Sequence, residues 1–465
     1  MVPQTKRLPG NRITHRIYLR GTLVLKSPAI VSGGQAVHSD IDILRDFRGN
    51  PYIPGSTLAG VLRSLCAHGV SLDQEEEDIV SVFGQSVGRD RISTLSSFIF
   101  YDATTAEPIS VSFRESVRLG PHKTAVHEAK LDYEVIDCEA AFTFMLEAVI
   151  RDGQYLAAQK NIDRMVHGFQ DGLVRVGRKT RRGFGILALE DAAYLELDMS
   201  KKEDRELWIH FDWRHVTQPW SPSKFNVSLG NRFTTIRVPL RIPHSLLIRT
   251  YDTSLKDDDD TTSAEQLTRS DFLPVIPGTS WAGAFRSYTE ELRNLEQLNA
   301  LEIDDLFGRI AKNTGAEALA SPLVFEESVI YGGELVRHVR AAIDRFRGGA
   351  ADGALLTVRP LLNTSGSAHT ELTIRVEHRN GNNDYIIGLV LLCIDELARG
   401  MITVGGETAI GRGIFTVDGV DPDEEEHLSE QVNHAVRIDG GHLPADAYRQ
   451  AFIEKIPVWR SVTKA

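Results

Sequence analysis

The sequence predicts an α+β protein made of two tandem copies of one unit, each an antiparallel sheet with two helices in the ferredoxin-like manner. The first observation is a phrase that occurs twice: residues 51–65 read PYIPGSTLAGVLRSL and residues 274–288 read PVIPGTSWAGAFRSY. The second is the register of the duplication. Pro54 and Pro277 lie 223 residues apart, Phe83-Gly84 and Phe307-Gly308 224, Ala129 and Ala354 225, and Gly183 and Gly411 228. Landmarks in one order at near-constant offset mark a duplicated domain. The third is a matching succession of strand-like and helix-like stretches in the two halves.

In chain order, residues 13–26 (ITHRIYLRGTLVLK) alternate apolar and polar as a half-buried strand does. A long polar loop follows over Ser27–Asn50. Pro-Gly then ends an extended segment, Ser56 can cap, and a helix runs from Thr57 to about His68. Residues 96–103 and 141–150 read as strands and 154–170 as a helix. The glycine-rich loop 177–185 leads into the strand Ile186–Leu189. The second half repeats the scheme. It has strands at Ile236–Leu240 and Leu246–Thr250, a loop over Tyr251–Leu273, and a helix over Ser280–Gln297. Strands at Pro322–Ser328 and Thr370–Glu377, a helix over 384–399, a glycine-rich loop over 404–413 and the strand Ile414–Val417 complete it. The domains expected are therefore 1–217 and 231–418. The Pro/Ser/Gly-rich stretch 218–230 links them, and an acidic segment with a short helix (Ala445–Lys455) follows over 419–465.

At 465 residues the chain has room for two or three domains, and the duplication favours two. Its 42% hydrophobic content is ordinary for a globular protein. No apolar run is long enough to cross a membrane, and MVPQTKRLPGN has no signal-peptide core. The three cysteines (Cys66, Cys138, Cys393) are far apart, which fits buried thiols in a reduced cytoplasmic setting. A net charge of −12 taken alone argues against nucleic acid. The charge is uneven, however. Acid gathers in Asp73–Asp78, Asp257–Asp260 and Asp421–Glu426, and base in Arg175–Arg182 and Arg337–Arg347. A basic groove on an acidic protein is sufficient for local attraction.

The loop GRKTRRGFG (177–185) carries Arg178, Lys179, Arg181 and Arg182. Glycines let backbone approach phosphate and the cations supply charge; the bland alternative is a tight turn with solvated cations. It is neither a Walker A loop nor a GxGxxG fingerprint. The second loop, GGETAIGRG (405–413), has only Arg412. Arg63 and Arg286 stand two turns into helices whose N-termini offer free N–H groups; surface ion pairs are the plain alternative for them, as capping is for Ser56 and Thr279. His122 and His127 lack a third metal ligand nearby. Phe184, His338 and Phe346 lie near basic residues, suited to base stacking or, for the two phenylalanines, to core packing.

The two PxIPG[ST]-x-x-G-x-x-R phrases, the Phe-Gly landmarks and the late glycine loops resemble the RAMP superfamily of CRISPR proteins, and most closely the backbone subunits of type III effector complexes. Two units in one chain resemble the tandem subunits of type III-D-like systems. The resemblance implies a modified RNA-recognition fold that grips guide RNA, with an inserted thumb hairpin in each unit that kinks the guide–target duplex. It also implies an antiviral ribonucleoprotein in which the partners are guide RNA, complementary target RNA, other backbone subunits and the large polymerase/cyclase-like subunit. The thumb phrase AIDRFRGGAADGALL (342–356), with Arg345 and Arg347, is close to the family's. GPHKTAVHEAKLDY (120–133), with His122 and Lys123, is a thumb by register alone.

Backbone subunits of this family often cut target RNA with one Asp in the loop before Ile-Pro-Gly. Here that loop reads HSDIDILRDFRGNPYIPG, which places the family pattern on Asp40, with Asp42 as the near alternative and Arg45-Asp46 as the basic-acidic pair. The corresponding position of the second unit is Ser263, so only a shifted acid such as Asp260 or Glu265 would act there, and a non-cutting second unit is as well supported. The 2′-hydroxyl of RNA is the expected nucleophile, giving a 2′,3′-cyclic phosphate and a 5′-hydroxyl. Asp40 would position a metal-bound water or assist proton transfer. Mg²⁺ or another divalent cation is implied by the resemblance, although one carboxylate cannot build a two-metal site. Two rival readings are a purely structural backbone subunit and a guide-processing endoribonuclease with a His-centred site (His15, His38). A third, a protein–protein module without RNA, is disfavoured by the basic loops.

Overall fold

The computed structural model describes residues 12–34, 39–68, 73–85, 94–120, 124–221, 229, 232–250, 262–295, 302–309, 317–378, 383–421, 424 and 427–455. Among them the chain divides into two compact units. The first takes the residues up to Phe113, then Asp132–Thr180 and Phe184–Arg232. The second takes Arg114–Leu131, Arg181–Gly183 and the residues from Phe233 onward.

In the first unit, β1 (Ile13–Leu25) is followed by α1 (Gly55–Ala67), α2 (Asp73–Phe83) and β2 (Phe98–Phe100). β3 (Val111–Leu119) and β4 (Ala125–Ile136) pair with each other, and their residues 114–131 belong to the second unit; the first unit continues with β5 (Ala141–Arg151), α3 (Tyr155–Gln170), β6 (Leu187–Asp198), α4 (Lys202–Ile209) and β7 (Gln218–Pro219). The sheet order is β2-β5-β1-β6-β7. β1 is central, antiparallel to β5 (Leu19 opposite Leu146) and to β6 (Leu19 opposite Tyr194). Both of its faces are covered. Ile17, Leu19, Leu23 and Leu25 enter the core beneath α1 and α3, each contributing roughly 1.5–3 kcal/mol on burial. Tyr18 points the other way, stacking on Phe211 at 3.9 Å within a second cluster with Val216 and Leu197. Residues 218–219 of the expected linker pair with β6, and Trp220 packs against the core.

The second unit contains β8 (Phe233–Arg241), β9 (Ser245–Leu246), β10 (Arg249–Thr250), β11 (Thr262–Gln266), β12 (Val275–Ile276), α5 (Gly278–Leu295) and α6 (Ile303–Phe307). Next are β13 (Leu323–Phe325), β14 (Ser328–Tyr331), β15 (Glu334–Leu335), β16 (His338–Ile343), β17 (Ala350–Arg359), β18 (Leu361–Leu362) and β19 (His369–Glu377). α7 (Asp384–Ala398), β20 (Thr416–Val417), α8 (Leu428–Ala435), β21 (Arg437–Asp439) and α9 (Ala445–Lys455) complete it. β8 and β19 form the antiparallel centre, flanked by β14 and β12 on one side and β20 on the other. α7 is buried nearly all round, as DYIIGLVLLCIDELA suggests. A Cβ on Gly388 would lie 2.0 Å from the Tyr448 carbonyl oxygen, so glycine lets α9 approach α7 closely.

Three departures from the local sequence reading share one cause. Residues 262–266, expected within a loop, form β11 because they pair in parallel with β17, a partner far along the chain. The loop Ser27–Asn50 makes bridges to Ile136 and Tyr133. The residues after 418 are woven into the second unit, β21 pairing with β8.

Candidate nucleic-acid interface

The loop that carries Asp40 is fastened to the base of β4. Asp40 N donates to Asp132 O at 3.1 Å, and Asp132 N donates to Asp40 Oδ2 at 2.9 Å. Ile41 bridges Tyr133 in parallel, and Glu134 N donates to Ile41 O at 3.0 Å. The Glu134 carboxylate accepts from Ile43 N at 3.0 Å and pairs with Arg45 at 2.9 Å. Asp40 itself is exposed. Asp42 is turned to local duty, its Oδ1 accepting from Ser39 N and Oγ at 2.9 and 2.7 Å. Arg45 and Asp46, the basic-acidic pair of the sequence pattern, have separate contacts: Arg45 reaches Glu134, and Asp46 Oδ1 accepts from Arg48 N and Asn50 N and shapes a turn whose tip is Phe47, 92% exposed. The corresponding turn of the second unit exposes Phe272 (83%).

Pairing in the second unit fixes the counterpart of Asp40. Ala264 pairs with Val358 as Ile41 pairs with Tyr133, so Ser263 occupies the Asp40 position. Glu265 pairs with Arg359 at 3.8 Å. Asp260, His122, Lys123 and His38 lie outside the described residues. His127 is exposed, 3.7 Å from Glu128. Among the described residues no group of three His, Cys, Asp or Glu side chains is arranged to hold a metal. Asp40 and Asp132 alone do not make a protein-built metal centre.

The two glycine loops are duplicated in backbone detail. Gly177, Lys179, Gly183 and Gly185 have φ of 82°, 56°, 83° and 80°; Gly405, Glu407, Gly411 and Gly413 have 97°, 59°, 84° and 72°. A Cβ on Gly185 would lie 2.0 Å from Val176 O, and on Gly413 1.9 Å from Val404 O, so only glycine fits.

Their side chains diverge. Arg178 is exposed, its Nε donating to Ser32 Oγ at 2.8 Å. Lys179 Nζ lies 3.6 Å from the Tyr133 ring centroid. Within the second unit, Arg181 pairs with Glu377 at 2.8 Å and Arg182 donates to Phe307 O at 3.0 Å. Burial, and after it the charges of Arg286 and Arg181, pulls the Arg182 guanidinium down to about 10. Arg412 is buried, 2.7 Å from Glu407 and 3.3 Å from His338 Nδ1, so phosphate contact there requires an ion pair to open. Phe184 is 2% exposed and edge-on to Tyr133; it is a core residue and does not stack on bases.

At the helix starts, Ser56 does not cap α1. The helix begins at Gly55, whose N–H donates to Asp102 Oδ1 at 2.7 Å, a partner 47 residues away. Thr279 is likewise the second residue of α5. Arg286 pairs with Glu290 at 2.8 Å and Asp304 at 3.4 Å. Arg63, half-buried, lines a groove with Gly55, Ser56, Gly60, Phe83 and Phe100.

The turn between β16 and β17 presents Arg345 and Arg347, with Phe346 98% exposed between them. Asp344 organises it, its Oδ1 accepting from Phe346 N at 2.8 Å. By contrast the first-unit sheet face that a simple RNA-recognition fold offers to bases is covered by α4 and the residues after it. Sequence reasoning missed Asp132, Glu134, Asp102 and the exposed pair Phe47 and Phe272. Only the last had a signal, an aromatic in the loop before each Ile-Pro-Gly phrase.

The RAMP superfamily profile matches residues 22–188 and 258–416, well over half the chain. The chain therefore belongs to the RAMP superfamily, in a two-unit form. Membership suggests an RNA-binding, CRISPR-associated function. A search of curated proteins finds no match. Among the described residues no helix is long and apolar enough to cross a membrane.

Proposed function

We propose that the chain is a guide-RNA-binding backbone subunit of a type III CRISPR ribonucleoprotein, of the tandem III-D-like kind, and that its first unit cleaves complementary target RNA with Asp40. The observation that carries this reading is the exposed Asp40, on a loop held to β4 by one backbone hydrogen bond, Asp40 N to Asp132 O, and by Asp132 N donating to one oxygen of the Asp40 carboxylate. Such a loop presents one acid in a fixed place, which geometry-dependent cleavage requires. The sheet order β2-β5-β1-β6 supports a ferredoxin-like fold. The β3–β4 and β16–β17 hairpins are the segments suited to act as thumbs, with Phe346 between two arginines as a base-stacking tip.

In this mechanism the 2′-hydroxyl oxygen attacks the adjacent phosphorus, and Asp40 takes its proton. The P–O5′ bond breaks and the leaving oxygen takes a proton from water, while Asp40 returns its proton to solvent, giving a 2′,3′-cyclic phosphate and a 5′-hydroxyl. A divalent cation, which the family resemblance implies, is supplied in the assay. The other components are guide RNA, target RNA, neighbouring backbone subunits and the large polymerase/cyclase-like subunit. The RNA sequence is read by base pairing, and the protein holds phosphate, sugar and shape. The second unit, with Ser263 at the Asp40 position, binds without cutting.

The test is cleavage of labelled target RNA by the assembled complex with Mg²⁺. Asp40→Ala removes one cut while guide and target stay bound. An unchanged pattern favours the second reading, a structural subunit in which Asp40 serves only as a hydrogen-bond acceptor for Asp132 N, a role it already fills.

A further inference from the structure

Along β1, Arg16, Tyr18 and Arg20 stand at alternate positions, so all three share the face of the first unit's sheet that turns away from α1 and α3. A ring between two cations on one strand suits a nucleobase with phosphate on either side of it. Arg20 makes no hydrogen bond or ion pair among the described residues. Arg16 pairs with Glu147, whose carboxylate also accepts from the hydroxyls of Tyr18 and Tyr101, each at 3.3 Å. A segment of the chain itself occupies this seat. Phe211 lies on Tyr18 with ring centroids 3.9 Å apart and planes 18° from parallel. Trp213 stands edge-on to Tyr18 at 5.5 Å, and the Arg16 guanidinium lies 4.5 Å from the Trp208 ring. In the second unit Arg237 and Arg241 flank Pro239 on β8 with no ring between them, and Asp439 and Asp418 take both cations.

The covering segment is fastened at its two ends. Asp198 N donates to Asp204 Oδ2 at 2.8 Å, and beyond the segment β7 pairs with β6 and Trp220 N donates to Ala192 O at 2.8 Å. Between those points, among the described residues, residues 205–216 make hydrogen bonds and ion pairs only with residues 199–216. α4 buries none of its side chains fully, and Asp212 caps the turn at Trp213–His215 from within the segment. Rings and the buried Val216 hold it down. It can therefore part from the sheet as one piece without breaking a hydrogen bond to it. We propose that residues 199–216 are a strap that lifts and lets a base of single-stranded RNA take the place of Phe211 on Tyr18. Arg16 and Arg20 then face the phosphates on either side, and Ile99 and Tyr101, exposed at the edge of the strap, extend the platform. The closed strap lowers the apparent affinity by the fraction of chains in which it is raised.

This site depends neither on Asp40 nor on the guide-binding reading: RNA binding by the wild type bears on that reading, and only the difference made at Phe211 bears on the strap. The experiment is fluorescence anisotropy of labelled hexauridylate with the full chain, wild type against Phe211→Ala, with melting curves on the same samples. The expected result is binding about fivefold tighter in Phe211→Ala, because loss of the ring pair raises the lifted fraction by about that factor. Arg20→Glu added to Phe211→Ala abolishes the gain. No gain in a Phe211→Ala protein that melts as a folded chain, or a gain that survives Arg20→Glu, overturns the proposal. An equal gain for uridine monophosphate overturns the strand as ligand, and self-association of the opened chain in place of RNA binding makes the face a protein surface and overturns it too. Photo-crosslinking of the wild type to hexauridylate carrying 4-thiouridine decides the matter without a loosened variant. Adducts within residues 13–25 that Arg20→Glu reduces support the site, and adducts confined to other segments overturn it.

Discussion

Asp40 and Asp132 hold each other through their backbones: each amide donates to the other residue, one to a carbonyl oxygen and one to a carboxylate oxygen, at 3.1 and 2.9 Å. The acid proposed for catalysis is thus also a structural acceptor, and substitutions can separate the two roles. Asp40→Asn keeps an oxygen for Asp132 N and loses the charge. It lowers the rate of the assigned cut by about 10²–10⁴-fold with little change in melting temperature. Asp40→Ala loses the cut and about 1 kcal/mol of stability as well. Rates in the assembled complex and melts of the free protein check both.

Glu327 is buried between Arg114 and Arg269 in the second unit. Burial alone raises its carboxyl, but the two guanidinium groups overcome that and hold it below its usual 4.5. A depressed folded value means that its stabilisation is fully present above about 4.5 and is lost as pH falls through the folded value. Glu327→Gln removes the carboxylate charge between buried Arg114 and part-buried Arg269 and costs about 3–5 kcal/mol. In urea melts the wild type loses stability on acidification through this range, and the variant loses less.

The turn of the β16–β17 hairpin is expected to contribute to RNA binding and not to folding. Phe346→Ala lowers RNA affinity by about 1–3 kcal/mol if the ring stacks on a base. Replacing Arg345 and Arg347 by alanine reduces the slope of log affinity against log salt by about 0.7 for each phosphate that an arginine had neutralised. Filter binding at several salt concentrations measures both, and the melting temperature stays where it was.

Gly185→Ala and Gly413→Ala place a methyl group against Val176 O and Val404 O at positive φ. Each is expected to destabilise its unit by about 2 kcal/mol or more. Gly60→Ala, at a helix position where an added Cβ meets nothing within 4 Å, is neutral or slightly stabilising. Chemical denaturation compares the three.

Much of this organisation was legible because it is local and repeated. The helices at α3, α7 and α9 follow from periodicity, and the glycine loops from residues that only positive φ explains. The register of the two phrases places Ser263 opposite Asp40, and the β11–β17 pairing agrees with it. Features set by distant partners were hidden. Asp102 displaces Ser56 at the start of α1 from 47 residues away. Phe184 reads as a base-stacking candidate beside four cations, yet its ring is buried against Tyr133. Arg412 reads as a phosphate ligand until Glu407 and His338 are seen around it.

The placement of β21 and α9 has a bearing on how the protein is made. β8 begins at Phe233, but one of its partner strands is residues 437–439, and α7 is covered by a helix at 445–455. On the ribosome the first unit's sheet is complete long before the second unit's centre can close. For the time needed to synthesise some two hundred residues, the apolar surface of β8 lacks that partner. A stalled or prematurely terminated chain would therefore present a finished first unit tethered to an adhesive half-core, and nascent-chain quality control would meet it at that point.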